Sequence, residues 1–338
     1  MTYEEVLAKA KNSVGTHCRA CSVCNGRACG NQIPGPGAKG VGDTAVRNFE
    51  AWQKIRVNMD TIEEMTETDT TLELFGHSFR FPFFAGPVGA VNMHYGDKYD
   101  DFAYNNLLVQ ACADLGIAAF TGDGINPQVH EAATMAIKSA GGMGIPTVKP
   151  WDEETVAQKM ELVRQSGAVA AAMDVDAAGL PFLRGQNPPA GRKSVEQLKQ
   201  IIADAGVPFI VKGVMTVKGA EKAIAAGASA IVVSNHGGRV LDQCAATAEV
   251  LPEIARAVNG RIKIFVDGGI RSGGDVFKAL ALGADAVIIA RPFVVSVYGG
   301  DKEGVEAYVE KIGSELKETM FMCGAKTLAD ITPDMVRA

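Results

Sequence analysis

The run IFVDGGIRSGGDVFKALALGADAVIIARPF, from Ile264 to Phe293, sets out one structural plan twice over. An apolar segment ends in glycines and an arginine, a stretch of helical period follows, and a second apolar segment ends at Ala290 and Arg291. Short continuous apolar runs rich in valine, isoleucine and phenylalanine fit strands buried on both faces of a parallel sheet. Glycine and polar residues at the C-terminal tips of such strands are where α/β folds keep their ligands. Upstream, IVVSNHGGR, from Ile231 to Arg239, is built the same way and adds chemistry: Ser234, Asn235 and His236, then Gly237, Gly238 and Arg239. A histidine moves protons near neutral pH, glycine lets the backbone approach a ligand, and the arginine fork matches a carboxylate. A polar loop with a merely hydrogen-bonded histidine has the same composition; the repetition of the plan favours a site.

Extended in both directions, the pattern gives strands at 81–85, 118–121, 144–148, 168–174, 208–212, 230–234, 263–267 and 286–290. Helical patterns lie at 101–115, 127–140, 152–166, 194–205, 217–226, 246–258, 274–282 and 302–322. Such alternation predicts an α/β protein closed as a TIM-type (β/α)8 barrel. A doubly wound open sheet is the rival, but the early G-x-G-x-x-G turn of that fold is missing. Before the first strand, TTLELFG and HSFRFPFF read as a hairpin whose second arm runs into the barrel and which would plug its bottom. A glycine- and proline-rich loop at 30–43 and a short helix at 44–53 precede it. The chain therefore divides into a cysteine-rich N-terminal segment, 1–60, and a barrel, 61–338.

Length agrees, since 338 residues suit one barrel of about 250 residues with an added segment. Apolar residues make up 47% and charged residues 21%, ample for a buried core. A net charge of -6 and a pI near 5.5, with no basic run, argue against nucleic acid or an anionic membrane as partner and for a small molecule. No apolar stretch approaches the roughly 18 residues that span a bilayer, and MTYEEVLAKAKNS is a charged, amphipathic opening, so a cytoplasmic protein is expected.

Cys18, Cys21, Cys24 and Cys29 crowd into CRACSVCNGRAC. In a reducing cytosol such crowding means zinc, an iron–sulfur cluster or free redox thiols rather than structural disulfides. The serial C-x2-C spacings let thiolates converge, but four residues precede the last cysteine and no proline follows it, unlike the bacterial ferredoxin run. Cys112, Cys244 and Cys323 are scattered, and helical context makes core packing the expectation for Cys112 and Cys323.

The strand tips, taken in order, end in Gly86 to Gly89, Thr121 to Asp123, Thr147 to Lys149, Asp174 and Asp176, Lys212, Ser234 to Arg239, Asp267 to Arg271, and Ala290 with Arg291. So many polar groups at the ends of apolar strands cost several kcal/mol to bury unless a ligand satisfies them. Lys212 ends the strand PFIVK and would point into the mouth, either to offset developing negative charge or simply to pair with Asp174. GGIR and ARP supply backbone amides and two arginines where barrels of this kind bind phosphate.

VKGVMTVKGAEKAIAAGASAIVVSNHGGRVLD followed by VDGGIRSGGDVFKALALGADAVIIARP strongly resembles the FMN-dependent α-hydroxy-acid oxidase and dehydrogenase family, which includes glycolate oxidase, lactate oxidase and flavocytochrome b2. The match is close from about 208 to 293 and continues more loosely through FPFFAGPVGA and AAAMDVDAAG. The resemblance implies a TIM barrel with FMN at its mouth and oxidation of a 2-hydroxy acid to a 2-oxo acid by hydride transfer to flavin N5. By position it places Pro87, Val88, Gly89 and Thr121 along the flavin and Lys212 by its N1 and C2 carbonyl. Ser234 falls on the flavin or ribityl chain, Asp267 on the ribityl hydroxyls, and Gly268, Gly269, Arg271, Ala290 and Arg291 at the phosphate. Ala290 stands where the family usually has glycine. His236 becomes the base, Asp174 the carboxylate that orients it, and Arg239 the clamp on the substrate carboxylate; Arg184 is a candidate second clamp, with Arg192 equally eligible. A homo-oligomer is implied, since the family often forms tetramers.

The departures from the family are as specific as the match. Tyrosines that usually approach the substrate from the N-terminal segment and from the end of the third strand are replaced by CGNQIPGPG and GIPTVKP. The cysteine run lies where the family's N-terminal segment nears the active site, so a centre there is expected either to shape the pocket or to take electrons from reduced FMN. Two other flavin-barrel readings remain: a type 2 isopentenyl diphosphate isomerase, which lacks SNHGGR, and a flavin reductase passing electrons through a cysteine-bound centre.

Overall fold

The computed structural model describes the whole chain except Glu63, Met65, Thr66, Arg184, Pro188 and Ala338 and, of Pro181, the side chain. Eight parallel strands close a barrel in chain order: Phe83–Ala85, Ala119–Thr121, Gly144–Val148, Ala171–Asp174, Phe209–Val214, Ala230–Val233, Lys263–Val266 and Ala286–Ile289. The last closes on the first through the pairs Val287 with Phe83, Ile288 with Phe84 and Ile289 with Ala85. Every strand residue but Lys263 and Gly213 is buried, because helices cover the outside and side chains fill the inside. Interior packing is aromatic: Phe265 meets Phe84 and Phe120 at ring-centroid distances of 5.8 and 5.7 Å. Each such ring, fully removed from water, contributes about 1.5–3 kcal/mol.

The hairpin is present as Leu72–Leu74 paired antiparallel with His77–Phe79. Leu74 and Phe79 join the same apolar cluster as the barrel interior, and Phe79 meets Phe84 edge to face at 4.9 Å, so the hairpin closes the bottom as expected. This leaves the other end of the barrel for ligands.

The expected helices all form, with bounds moved by a residue or two, except the last. That helix, Arg291–Met322, begins at the eighth strand's tip rather than at 302 and passes through a break at Gly300 and Asp301. Sequence reading stopped at these residues because glycine and aspartate signal a turn, and Asp301 does adopt φ +51°. The N-terminal helix Tyr3–Ala10 packs against it. The helix Asp43–Lys54 packs beside the sixth and seventh strand tips, where Trp52 is fully buried and donates its indole N–H to the Gly268 carbonyl at 2.8 Å. Arg56–Val57 pairs with Val336–Arg337, tying the two ends of the chain together. Among the described residues no helix is long and apolar enough to cross a membrane.

Candidate active site at the barrel mouth

The strand tips and the loop from Asn31 to Gly40 enclose a cavity of about 1070 Å³, at the upper end of ligand-site volumes. Its wall includes Pro87, Val88, Gly89, Asp174, Lys212, His236, Arg239, Asp267, Gly268, Gly269, Arg271, Ala290 and Arg291, each anticipated from sequence. Thr121 and Ser234 are buried just behind it.

The sixth tip carries the proton chemistry. His236 is a non-glycine residue at φ +56°, a strained backbone held because its own N–H donates to Ser234 Oγ at 3.1 Å and the following glycines turn the chain. Its ring Nδ1 lies 3.1 Å from Asp176 Oδ1 but 4.0 Å from Asp174 Oδ2. The orienting carboxylate is therefore Asp176, which corrects the expectation for Asp174. Asp174 ends its strand facing the neighbouring strand's tip, where Lys149 Nζ takes its Oδ2 at 2.5 Å, whereas Asp176 sits one turn further on in Val175–Gly179. With a carboxylate at Nδ1, the network assigns the proton to that nitrogen and leaves Nε2 as the free lone pair. Burial lowers the His236 pKa, against the opposing pull of Asp176, so the ring is neutral at pH 7. Burial alone would raise the Asp176 pKa, but His236 and Lys212 beside it bring it below its ordinary value.

Lys212 Nζ reaches Ser234 Oγ at 3.1 Å and Asp267 Oδ2 at 3.5 Å. Burial disfavours its charge, yet Asp267, Asp176 and Asp174 together raise its pKa, so it is a fixed cation in the mouth. The sequence alternative that paired it with Asp174 gives way to Asp267, because Lys149 already holds Asp174. Arg239 donates from Nη1 to the carbonyls of Gly35 and Gly37 at 2.7 and 2.8 Å, and burial with nearby Arg291 pushes its pKa down to about 10. It remains cationic at neutral pH, with further N–H donors of the guanidinium fork uncommitted by these bonds.

At the seventh and eighth tips, Gly269 has φ +87°, and an added Cβ would fall 2.2 Å from the Asn48 carbonyl. Only glycine lets the helix Asp43–Lys54 approach so closely. Arg271 Nε donates to the Cys24 carbonyl at 2.7 Å, and Arg291 donates to the carbonyls of Pro36 and Gly237, both at 2.9 Å. Arg192 is exposed and does not line the cavity, and Arg184 lies outside the described residues.

Asn48 and His94 carry no signal in the sequence, and Asn235 and Asp123, legible as tip residues, do not reveal their partners. Asn48 and Asn235 exchange side-chain amide bonds at 2.7 and 2.9 Å, fixing the base of the histidine loop from the helix Asp43–Lys54. Asp123 accepts from Trp151 Nε1 at 2.7 Å and from Lys159 at 2.9 Å, bracing the third tip. His94, on the short helix Val91–Tyr95, accepts from the Gly35 N–H at 3.0 Å; burial, with Arg239 nearby, lowers its pKa to about 4. No local pattern marks such pairs, since their members are far apart in the chain. The four clustered cysteines stand beside the mouth, around a separate small cavity that shares Pro36, Tyr95 and Arg291 with it.

A closed (β/α)8 barrel with a histidine–carboxylate pair at its mouth and an arginine on each of the next two tips is a barrel for a phosphorylated ligand. Its sequence places it further: the FMN-dependent dehydrogenase profile matches residues 36–187 and 185–338, and the chain belongs to that family. It is similar to an L-lactate oxidase of Lactobacillus jensenii, 50% identical over 141 residues, which is 42% of this chain and 34% of that protein. The matched stretch thus spans about a third of that relative. An L-lactate dehydrogenase of Haemophilus influenzae is 28% identical over 349 aligned positions, covering 86% of this chain and 89% of the relative. A mandelate oxidase mutant, solved with a monooxide FMN adduct, superposes with a TM-score of 0.74 at 27% identity over 89% of this chain and 93% of its own.

The family implies FMN, and the residues present fit it. Thr121 Oγ1, Thr147 Oγ1, Asp174 Oδ1 and Asp267 Oδ1 are buried polar atoms without partners among the described residues, grouped at the strand tips where ribityl hydroxyls and ring edges can satisfy them. The cations Lys212, Arg271 and Arg291 border the same space, as a phosphate and an electron-rich ring require.

Proposed function

We propose that the protein oxidises a small 2-hydroxy acid to the corresponding 2-oxo acid, with FMN held at the barrel mouth. The observation that carries this reading is His236 with Nδ1 on Asp176 and the ring neutral, facing a cavity that also holds Arg239 and Lys212. Bound FMN supplies a hydride acceptor at N5. Gly268, Gly269, Arg271, Ala290 and Arg291 hold its phosphate, Asp267 and Ser234 the ribityl region, and Pro87, Val88, Gly89 and Thr121 its ring.

Arg239 binds the substrate carboxylate and sets the α-carbon in place. His236 Nε2 takes the hydroxyl proton, and Asp176 stabilises the imidazolium that results. Lys212, kept charged by Asp267, would offset negative charge on a flavin held at the mouth. Lys149 stands at the third strand's tip, where the family usually has a tyrosine, and its ion pair with Asp174 lines that side of the pocket in place of a phenol. Supporting the substrate class are the 2-hydroxy-acid enzymes among the relatives. The reading also takes the protein as cytoplasmic and homo-oligomeric, the latter open to direct measurement by sedimentation.

Mixing the FMN-loaded protein anaerobically with a panel of 2-hydroxy acids, bulky ones included, tests it. At least one should bleach the flavin absorbance. Reduction by NADH with none of the panel effective would leave the barrel and overturn the substrate class.

A further inference from the structure

The cysteine run is the one motif that the proposed chemistry does not use. Residues 11–42 contain no helix or strand, yet they are wrapped tightly: Ala20 adopts φ +42°, Gly26 φ +85° and Gly30 φ +47°. The Ala20 N–H donates to Cys18 Sγ, 3.5 Å away. Hydrogen bonds from backbone to cysteine sulfur are one way proteins stabilise and tune thiolate-bound iron. Cys18, Cys21, Cys24 and Cys29 all line one small cavity, none is in a disulfide, and Leu7, Ala20 and Val295 shield it from one side.

The surroundings are cationic. Arg271 donates to the Cys24 carbonyl, and Arg291 forms part of the cavity wall. Four thiolates on one metal centre carry net negative charge, which these arginines offset. The sulfurs stand apart rather than converging on one point. A tetrahedral zinc with bonds of about 2.3 Å needs its thiolates within roughly 4 Å of one another. Among the described residues no three of these sulfurs lie within 4.8 Å, the Asp174, Asp176 and His236 group being the only set so close. An iron–sulfur cluster binds each cysteine to a different iron and holds the sulfurs further apart. The void between the thiols is about 30 Å³, smaller than a cluster, so loading spreads loops that no regular element stiffens.

We propose that Cys18, Cys21, Cys24 and Cys29 bind a four-iron, four-sulfide cluster in the wall of the mouth cavity, separated from it by Pro36, Tyr95 and Arg291. Cys29 leads directly into the loop whose carbonyls at Gly35, Pro36 and Gly37 grip Arg239 and Arg291, so the cluster anchors the segment that positions both arginines. This site does not depend on which substrate the mouth accepts.

The full chain, produced with ample iron and purified without oxygen, or reconstituted with ferric iron, excess thiol as reductant and sulfide, should contain about four irons and four acid-labile sulfides per chain. After dithionite reduction it should give an electron paramagnetic resonance signal distinct from flavin. Cys21→Ala and Cys24→Ala should each lose most of that iron, whereas Cys244→Ala, outside the run, should keep it. Flavin content, read separately by release of FMN on denaturation, shows whether a variant has folded. Zinc without sulfide, or four labelled thiols and no metal after reconstitution, would overturn the proposal. So would full iron in the Cys21 and Cys24 variants.

Discussion

His236 occupies a left-handed backbone position that disfavours a side chain, and a bland loop histidine has no reason to bear that strain. What it obtains is a ring set between Asp176 and the cavity. His236→Ala should therefore retain FMN, whose phosphate and ring contacts lie on other tips, while anaerobic flavin bleaching slows by about 10²-fold or more, the usual worth of a general base. Equal rates in variant and parent would return His236 to a structural role. The pH dependence follows from the direction of its shift. Burial lowers the pKa, so the base is lost to protonation only as the pH falls below about 6.5, and the acid limb of the reduction rate belongs there. Asp176 opposes that lowering, so Asp176→Asn should move the limb to still lower pH and slow the plateau. The same substitution at Asp174 should leave the limb nearly in place, because Lys149 and not His236 is its partner. Stopped-flow rates from pH 5 to 9 distinguish the two.

The strands and helices were legible because the barrel strands are mostly apolar and change character at their tips, as from Phe265 and Val266 to Asp267 and Gly268. Most of the mouth followed from the same punctuation. The partner of His236 did not, since Asp174 and Asp176 are two residues apart and their directions depend on where the strand gives way to the turn Val175–Gly179. Asn48 and His94 were illegible as site residues, and Lys149 was legible as a tip residue but not as the partner of Asp174, because each acts across elements distant in sequence. The seventh tip shows how an element joins both kinds of information. GGIR is readable as a phosphate loop, but that Gly269 is pressed against the Asn48 carbonyl is seen only in three dimensions. Gly269→Ala should destabilise the protein by more than about 2 kcal/mol, combining a disallowed φ with a backbone collision. Arg271→Ala should instead leave the fold intact and weaken FMN by about 1.5–3 kcal/mol, roughly tenfold to a hundredfold in dissociation constant. Equilibrium dialysis against FMN and denaturant unfolding of the apo forms separate the two effects, and unchanged FMN affinity in the arginine variant would remove it from the phosphate site.

At the scale of the molecule, the first sixty residues behave as the roof of the barrel. Helix Asp43–Lys54 inserts Trp52 into the core shared with the barrel's helices, and its indole N–H fixes the Gly268 carbonyl at the start of the phosphate loop. Folding of the roof and binding of FMN should therefore be linked. Trp52→Ala removes a large buried ring, a loss of about 3–5 kcal/mol, and also frees that carbonyl. Trp52→Phe keeps most of the buried area and removes only the hydrogen bond, so it isolates the second effect. For any ligand that binds only the folded state, added stability is RT ln(1 + [L]/Kd), about 2.7 kcal/mol when FMN is present at a hundred times its dissociation constant. Urea unfolding of each protein with and without that FMN concentration measures the increment. The parent should gain the full amount, while Trp52→Phe should start only slightly less stable and gain clearly less, because its phosphate loop must be ordered by the ligand itself. An increment equal to the parent's in Trp52→Phe would show that the roof covers the mouth without shaping it, and that the phosphate loop is held by the barrel alone.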